Sequence, residues 1–307
     1  MARTLRIPGL IDIVRTDAPE DIVTFANDPR LDRGFEANGP MANRLIVGRI
    51  RRVLRLNGLP LPPVAPRGAP WRAQQQTQLE AMLRPELGNA AYDEILIGDL
   101  GERILTQADK SELGPLAQTL AGRIFVPGFQ GTVATWDAAV TLDAAVRSFN
   151  PIRRIVWALT GQVRKARTLL ASGIKGHSAG LHAIGIAIHN LVRSLERMRD
   201  LANERDALVR FSPAQAASIC LAAPDSVVRQ AVGPGMSAAG LYRRGTLVQL
   251  QLEAARARTL RPDLAFMTVS WSQCPAHAWV PGLLSAVWES AQTLHRSGGP
   301  PGRKAPS

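Results

Sequence analysis

The sequence has few cysteines, few aromatic residues and no long apolar run, and each shortage excludes a class of protein. Its 307 residues include two cysteines, Cys220 and Cys274, too few for a disulfide framework. No apolar run reaches the roughly 18–20 residues that span a bilayer. The N-terminus lacks the apolar core of a signal peptide before its acidic residues. We therefore expect a cytoplasmic protein with no membrane span.

The chain is strongly basic, with a formal net charge of +12 and a pI of about 11.1. Such a charge favours anionic partners: nucleic acid, an acidic protein, or a ligand that carries carboxylates. Aromatic residues make up only 5% of the chain, and none is interleaved with basic residues in the manner that stacks nucleic-acid bases. Nucleic acid is therefore not favoured as a partner.

The apolar fraction of 46% and the charged fraction of 20% are ordinary for a globular protein. We expect one domain over residues 1–296, mainly α with a small β component, and a disordered tail over 297–307. The predicted elements are helices at 17–31, 41–58 and 178–208, a helix from 211 that ends near Pro224, a helix at 274–296, and a strand at 246–250.

Cys274 stands in the segment FMTVSWSQCPAHAW, residues 266–279. Pro275 suits the first position of a helix, so Cys274 would lie at a helix N-terminus. Unpaired N–H groups and the helix dipole at such a position lower the pKa of a thiol and favour a thiolate that binds metal. The alternative is a small buried apolar residue, the usual role of a free cysteine. We expect that role for Cys220.

The most periodic segment, residues 178–208, has apolar residues at every third or fourth position and predicts a long, mostly buried helix. It carries His182 and, seven residues further on the same face, His189. Two histidines so far apart along a helix do not form a zinc site by themselves. A buried histidine that bonds a backbone carbonyl is the ordinary alternative for His182.

Several segments, in one order along the chain, resemble the cytochrome P450 superfamily of heme-thiolate monooxygenases. AGLHA (179–183) is similar to the motif of the family's I helix. APDSVVRQA (223–231) and RRGTLV (243–248) look like the segments that follow its K helix. DLAFMTVSWSQCPAHAW (263–279) resembles its heme-binding loop, and APEDIVTFANDPRLDR (18–33) an early helix.

The resemblance implies a compact, shortened P450-like fold that binds heme b, iron protoporphyrin IX, through an axial cysteine thiolate. Cys274 would be the metal ligand, with Phe266 and Trp271 beside it in the loop. Arg229 would bind a heme propionate. Trp71 and Arg72 would also meet the propionates, because their segment PWRAQQQ resembles the family's C helix.

The departures from the family pattern are also specific. The loop lacks its usual glycines, and Ser272 stands where a propionate-binding His or Arg is common. The family's Glu-x-x-Arg motif is missing, since the matching positions fall within 217–221, ASICL. His182 and Ala183 replace the acid and alcohol that deliver protons on the distal side. Ala183 has no proton to relay, whereas His182 is a catalytic acid–base candidate with a pKa near neutrality.

Three functions follow as hypotheses. The first is a heme-thiolate enzyme that oxidises a small organic substrate in specialised metabolism, with electrons from an acidic ferredoxin-type redox partner. The second keeps the heme but uses peroxide, or isomerises or dehydrates an activated substrate without a redox partner, as the missing acid–alcohol pair suggests. The third is a non-catalytic basic helical protein that binds a partner.

Overall fold

A computed structural model describes residues 2–84, 92–148, 150–237 and 240–297. The expected disordered tail at 297–307 lies outside the described residues except for Ser297. The described chain is mainly helical. Its helices are α1 Pro19–Asn27, α2 Met41–Val53, α3 Trp71–Met82, α4 Glu94–Leu105, α5 Lys110–Arg123, α6 Val133–Arg147, α7 Pro151–Thr160, α8 Gln162–Gly173, α9 Ser178–His182, α10 Ile188–Ala202, α11 Ala207–Arg210, α12 Pro213–Cys220, α13 Leu252–Thr259, α14 Pro262–Phe266 and α15 Val280–Arg296.

The β component is larger than the single strand that the sequence predicts. The strands are β1 Arg3–Ile7, β2 Ile11–Thr16, β3 Leu31–Asp32, β4 Arg55–Leu56, β5 Leu59–Pro60, β6 Val227–Ala231, β7 Gly235–Ser237, β8 Gly240–Tyr242 and β9 Leu247–Leu250. A five-stranded sheet has the order β1-β2-β9-β6-β3, in which only the β2–β9 pair is parallel. Two short antiparallel pairs, β4–β5 and β7–β8, are separate from it.

The predicted strand at 246–250 is confirmed as β9, and most predicted helices are present with shorter bounds. The bounds of two helices near the C-terminus need correction. The helix from 211 ends at Cys220 rather than near Pro224, because the chain must turn into strand β6. The C-terminal helix is divided: a 3₁₀ turn, Pro275–Ala278, precedes α15, and Pro281 lies in the first turn of α15, where its missing N–H costs nothing.

The long buried helix predicted at 178–208 is interrupted by a π turn, Ala183–Ala187, between α9 and α10. A π turn widens the helix and leaves backbone groups without their usual partners. Here the fully buried Gln118 of α5 compensates, because its Nε2 donates to the carbonyl of Ile184 at 2.9 Å. Gln118 also pairs with Thr135 of α6, so three helices meet at the π turn.

Apolar side chains from the helices and from the sheet form one continuous core. Trp288 of α15 is its largest fully buried side chain, and its Nε1 donates to the carbonyl of Phe211 at 3.2 Å. Within the described ranges, no helix is both long and apolar enough to cross a membrane.

A charged network holds the C-terminal end of α12, although α12 itself contains no charged residue. Arg256 of α13 is 3% exposed and donates to the carbonyls of Ser218 and Ile219 at 3.0 and 2.7 Å. Arg197 of α10 donates to the carbonyl of Leu221 at 3.1 Å. These cations satisfy carbonyls that a helix end leaves unpaired and complement the negative end of its dipole.

Glu253 connects the two arginines. Its carboxylate lies 2.7 Å from Arg197 and 3.8 Å from Arg256, and its second oxygen accepts the N–H of Ala223 at 2.6 Å. The network therefore fixes the chain between α12 and β6, the strand that carries Arg229. Arginines of α10 and α13 thus contact the C-terminal end of α12, the helix that contains no charged residue.

We expect Glu253→Ala to destabilise the fold by about 3 kcal/mol, because it leaves buried guanidinium charge without its carboxylate. Urea unfolding curves would measure the loss. The matched control is Glu204→Ala, which breaks an ion pair to Arg210 whose side chains are both more than half exposed. That control should change stability by less than about 0.5 kcal/mol. Equal effects of the two substitutions would contradict the role assigned to Glu253.

Candidate functional site

A mainly apolar cavity of about 850 Å³ lies between the sheet, the π turn and the segment that carries Cys274. Its volume lies within the range of small-molecule and cofactor sites. Five predicted site residues line it together, although they are far apart in the sequence: Arg72, His182, Arg229, Phe266 and Cys274.

The loop that carries Cys274 is held by its own backbone. The N–H of Cys274 donates to the carbonyl of Phe266 at 2.7 Å, which closes the loop. Met267 ends α14 at φ 54°, a left-handed conformation that turns the chain where the family has glycine-rich sequence. His277 contacts the same loop, since its Nδ1 lies 2.9 Å from the carbonyl oxygen of Cys274.

Helix α3 supports this loop from the outside. Glu80 accepts a hydrogen bond from Gln273 at 2.6 Å and another from Gln76 at 2.7 Å. Gln76 also donates to the carbonyl of Gln273 at 3.4 Å. The residue before Cys274 is therefore held on both its side chain and its backbone.

The pKa of the Cys274 thiol is raised, contrary to the lowering that its position predicts. Burial is the largest cause, and it outweighs the N–H of Ala276 and the positive charge of Arg33, which both favour the thiolate. The helix expected to lower the pKa is here only a four-residue 3₁₀ turn, so its dipole is small. The thiol is therefore protonated near pH 7 in this structure.

Three arginines, Arg33, Arg72 and Arg229, meet at one end of the cavity and are named the arginine cluster. Arg229 projects from β6 and is 1% exposed. Its Nη2 donates to the hydroxyl of Ser272 at 2.5 Å, whereas its Nε is buried without a partner among the described residues. Each member bonds a neutral oxygen: Arg33 reaches the carbonyl of Ser272 and Arg72 that of Ala65.

The arginine cluster carries positive charge that no carboxylate neutralises by direct contact in the described structure. Burial, followed by the positive charge of Arg72, lowers the pKa of Arg33 to about 9, against the smaller opposing effects of Cys274 and Asp32. Burial, followed by the charges of Arg33 and Arg72, lowers the pKa of Arg229 well below its usual value. Because guanidinium stays protonated in proteins, the lowered pKa values indicate net positive charge at this end of the cavity.

Trp271 lies behind the arginine cluster rather than on the cavity wall. The guanidinium carbons of Arg33, Arg72 and Arg229 lie 5.7, 4.6 and 5.6 Å from its ring centroid, and that of Arg67 lies 5.6 Å away. Cation–π attraction to one indole partly offsets the repulsion among these cations. Trp271 is therefore a scaffold for the cluster.

Trp71 does not line the cavity. It is the first residue of α3, it is 39% exposed, and it is not among the residues that line the cavity. Its neighbour Arg72 is one of the lining residues, because consecutive residues on a helix point about 100° apart.

His182 is the last residue of α9 and faces the cavity where the π turn begins. Its Nδ1 is buried with no hydrogen-bond partner in the described ranges, so this nitrogen does not make the bond to a backbone carbonyl that the alternative for His182 would allow. Burial lowers its pKa to about 4, with a further contribution from the positive charge of Arg33. His182 is therefore neutral near pH 7, which corrects the expectation of a pKa near neutrality.

Sequence reasoning missed Arg33, because a lone arginine after a short strand carries no local signal. It named Ser272 only as a departure from the family pattern, although the hydroxyl and carbonyl of this residue join two members of the arginine cluster. Cys220 is confirmed as a buried residue at 1% exposure.

No protein-family model and no curated protein sequence matches the chain. Solved structures of cytochromes P450 do share its fold. Cytochrome P450 MoxA from Nonomuraea recticatena is 14% identical with a TM-score of 0.57, covering 96% of this chain and 84% of its own.

Two further solved structures of cytochromes P450 are similar to this fold. P450BioI, solved in complex with an acyl carrier protein ligated to hexadec-9Z-enoic acid, is 14% identical with a TM-score of 0.54 and covers 93% of this chain and 85% of its own. The heme domain of a cytochrome P450DA variant is 9% identical with a TM-score of 0.55, covering 96% and 82%. The chain therefore has a compact, mainly α fold of the cytochrome P450 type.

We expect His182 to titrate near pH 4 in the protein without cofactor, and Arg33→Gln to raise that pKa toward 6.5 by removing a nearby positive charge. The folded pKa lies below the unfolded one, so this group reduces stability as the pH falls from about 6.5 to 4. An NMR titration of the imidazole would measure the pKa. Arg103→Gln, at an exposed pair with Glu112, is the control and should leave it unchanged.

Proposed function

We propose that this chain, which has the cytochrome P450 fold, binds heme b with Cys274 as axial ligand and oxidises a small apolar molecule. One observation carries the proposal: buried, unneutralised arginine charge and a cysteine line the same apolar cavity. A planar apolar group with two carboxylates complements that combination, and heme with its propionates is such a group.

The arginine cluster would hold the propionates. Charge-assisted hydrogen bonds from guanidinium to carboxylate are among the strongest in proteins. Ser272 and Trp271 keep Arg229 and its neighbours in position before any anion arrives, so little order is lost on binding. Two carboxylates would also remove the mutual repulsion of Arg33, Arg72 and Arg229.

Cys274 would supply the thiolate. When bound, a heme with this ligand supplies oxidative chemistry, because the thiolate pushes electron density toward the iron. The N–H of Ala276 and the charge of Arg33 favour the deprotonated sulfur. Because burial raises the pKa of the thiol, a proton leaves Cys274 when metal binds, and binding should strengthen as the pH rises.

His182 would be the acid–base group on the distal side. Its neutral imidazole has an unpartnered Nδ1, and this group can accept a proton at that atom or bond a polar group of the substrate. Ala183 next to it cannot relay a proton. The apolar walls formed by Ile186 and Leu191 exclude water and favour an apolar substrate.

His182 and Ala183 also favour a second candidate function. A neutral histidine without an adjacent alcohol suits an enzyme that uses peroxide, or one that isomerises or dehydrates its substrate, because neither needs the relay that protonates dioxygen in two steps. A redox partner such as an acidic ferredoxin belongs only to the first candidate. The basic surface would attract such a protein.

The cofactor assignment is tested by heme titration. We expect the reduced carbonyl complex of the purified protein to absorb at the wavelength typical of thiolate ligation, and Cys274→Ala to lose that band. Arg229→Gln should weaken heme binding about tenfold or more, because one charge-assisted hydrogen bond to a carboxylate is lost.

Arg67→Gln is the matched control for Arg229→Gln. Arg67 contacts the same ring of Trp271 but is not among the cavity-lining residues, so heme affinity should change little. A thiolate-type spectrum that survives in Cys274→Ala would rule out Cys274 as the ligand.

The distal role is tested by turnover of the heme-loaded protein with hydrogen peroxide and an apolar substrate analogue. We expect His182→Ala to lower kcat by about 10²-fold or more, the usual contribution of a positioned acid–base group. His277→Ala, on the other side of the cysteine loop, is the comparison and should keep most of the activity. Unchanged turnover in His182→Ala would refute the acid–base role.

A further inference from the structure

The outer face of α7 carries an uncovered row of large aliphatic side chains. Ile152, Ile155, Val156 and Leu159 follow one another at helical spacing and are 71%, 60%, 46% and 82% exposed. These four residues are named the apolar stripe. Trp157, on the opposite side of α7, is 9% exposed and anchors the helix to the core. Single exposed aliphatic residues are common, whereas a stripe along one helix marks a contact surface.

The stretch of chain that carries the apolar stripe contributes only positive charge. No acidic residue occurs between Asp143 and Glu196, a stretch that contains all of α7 and α8. Arg153 lies over the ring of Trp157 at 4.9 Å, on the same helix as the stripe. Arg164 and Lys165 of α8 are exposed, and neither has a carboxylate partner in the described structure.

The positive surface continues from α8 onto α2. A second acid-free stretch runs from Glu36 to Glu80, and it meets α8 at a surface pocket of about 800 Å³. Arg167 of α8 joins the two, since its Nη1 donates to the carbonyls of Arg52 and Arg55 at 3.2 Å each. The pocket is also lined by Arg51, and no acidic residue lines it.

We propose that α7 and α8 form a peripheral binding surface for anionic membrane lipids. The apolar stripe would enter the boundary between headgroups and acyl chains, and Arg153, Arg164 and Lys165 would contact the negative headgroups. Exposed aliphatic residues on one helix, with basic residues beside them on the same and the next helix, have the composition of segments that lie in this interface.

A lipid surface suits the stripe better than an acidic protein does. Energetically important contacts between proteins are rich in Trp, Tyr and Arg and poor in Leu and Val, whereas the stripe consists of Ile, Val and Leu. Gly161, at φ 64°, turns the chain sharply between the two helices. Arg164 therefore follows Leu159 within a few residues, and the charges lie close to the end of the stripe.

Cosedimentation with sucrose-loaded vesicles tests the proposal on the full-length protein. We expect binding to phosphatidylcholine vesicles that contain phosphatidylglycerol, little binding to phosphatidylcholine alone, and weakening by salt. Ile155→Ser with Leu159→Ser should reduce the partition coefficient at least about tenfold. Arg164→Gln with Lys165→Gln should reduce it about fivefold for each charge.

Two controls carry matched changes elsewhere on the surface. Val209→Ser alters an aliphatic residue of α11 that is 80% exposed, and Arg205→Gln removes a charge whose side chain is 98% exposed. Both should bind vesicles like the wild type. Circular dichroism verifies that the stripe variant is folded.

Three results would overturn the proposal. Equal binding to vesicles with and without phosphatidylglycerol would remove the role of charge. Unchanged binding of the stripe variant, with loss only on removal of charges, would mean electrostatic adsorption alone. Absence of vesicle binding, together with stripe-dependent association with a plant-type ferredoxin, would assign the surface to an acidic protein.

Discussion

The constraint on which the site depends is positive charge that the chain buries without neutralising. Arg33, Arg72 and Arg229 come from three separate parts of the sequence and share one indole, that of Trp271. Arg229 is buried, and Arg33 and Arg72 are half-buried. Cationic charge away from water is costly without a counter-ion, so the rest of the fold must hold the cluster in place. Cation–π contacts, the oxygens of Ser272 and the rigidity of β6 provide that support.

The supports extend well away from the cavity. Glu253 and its two arginines fix the end of α12, and the chain then enters β6 with Arg229 at a defined position. Although α12 carries no charged residue, this junction is not without charges. The charges come from neighbouring helices, whose arginines satisfy the carbonyls at the end of α12.

The two sides of the cavity make opposite demands on protons. On one side, burial keeps the thiol of Cys274 protonated, whereas metal binding requires the thiolate. On the other, burial and Arg33 keep His182 neutral, because both disfavour the imidazolium. Arg33 favours the thiolate and disfavours the imidazolium at once. A single cation thus adjusts the acid–base chemistry of both sides.

The elements with local signals could be predicted from the sequence alone. Apolar periodicity predicted the long helix, the segment 246–250 predicted a strand, and the resemblance named Cys274 and Arg229. The tertiary structure decided what depends on convergence. In the folded chain Arg33 lies in the arginine cluster, Trp71 lies outside the cavity, and the π turn packs against Gln118. The pKa of Cys274 is raised by burial, where a lowered pKa was expected. The burial of a side chain and the charges near it depend on residues that are distant along the chain. A local sequence pattern therefore cannot predict them.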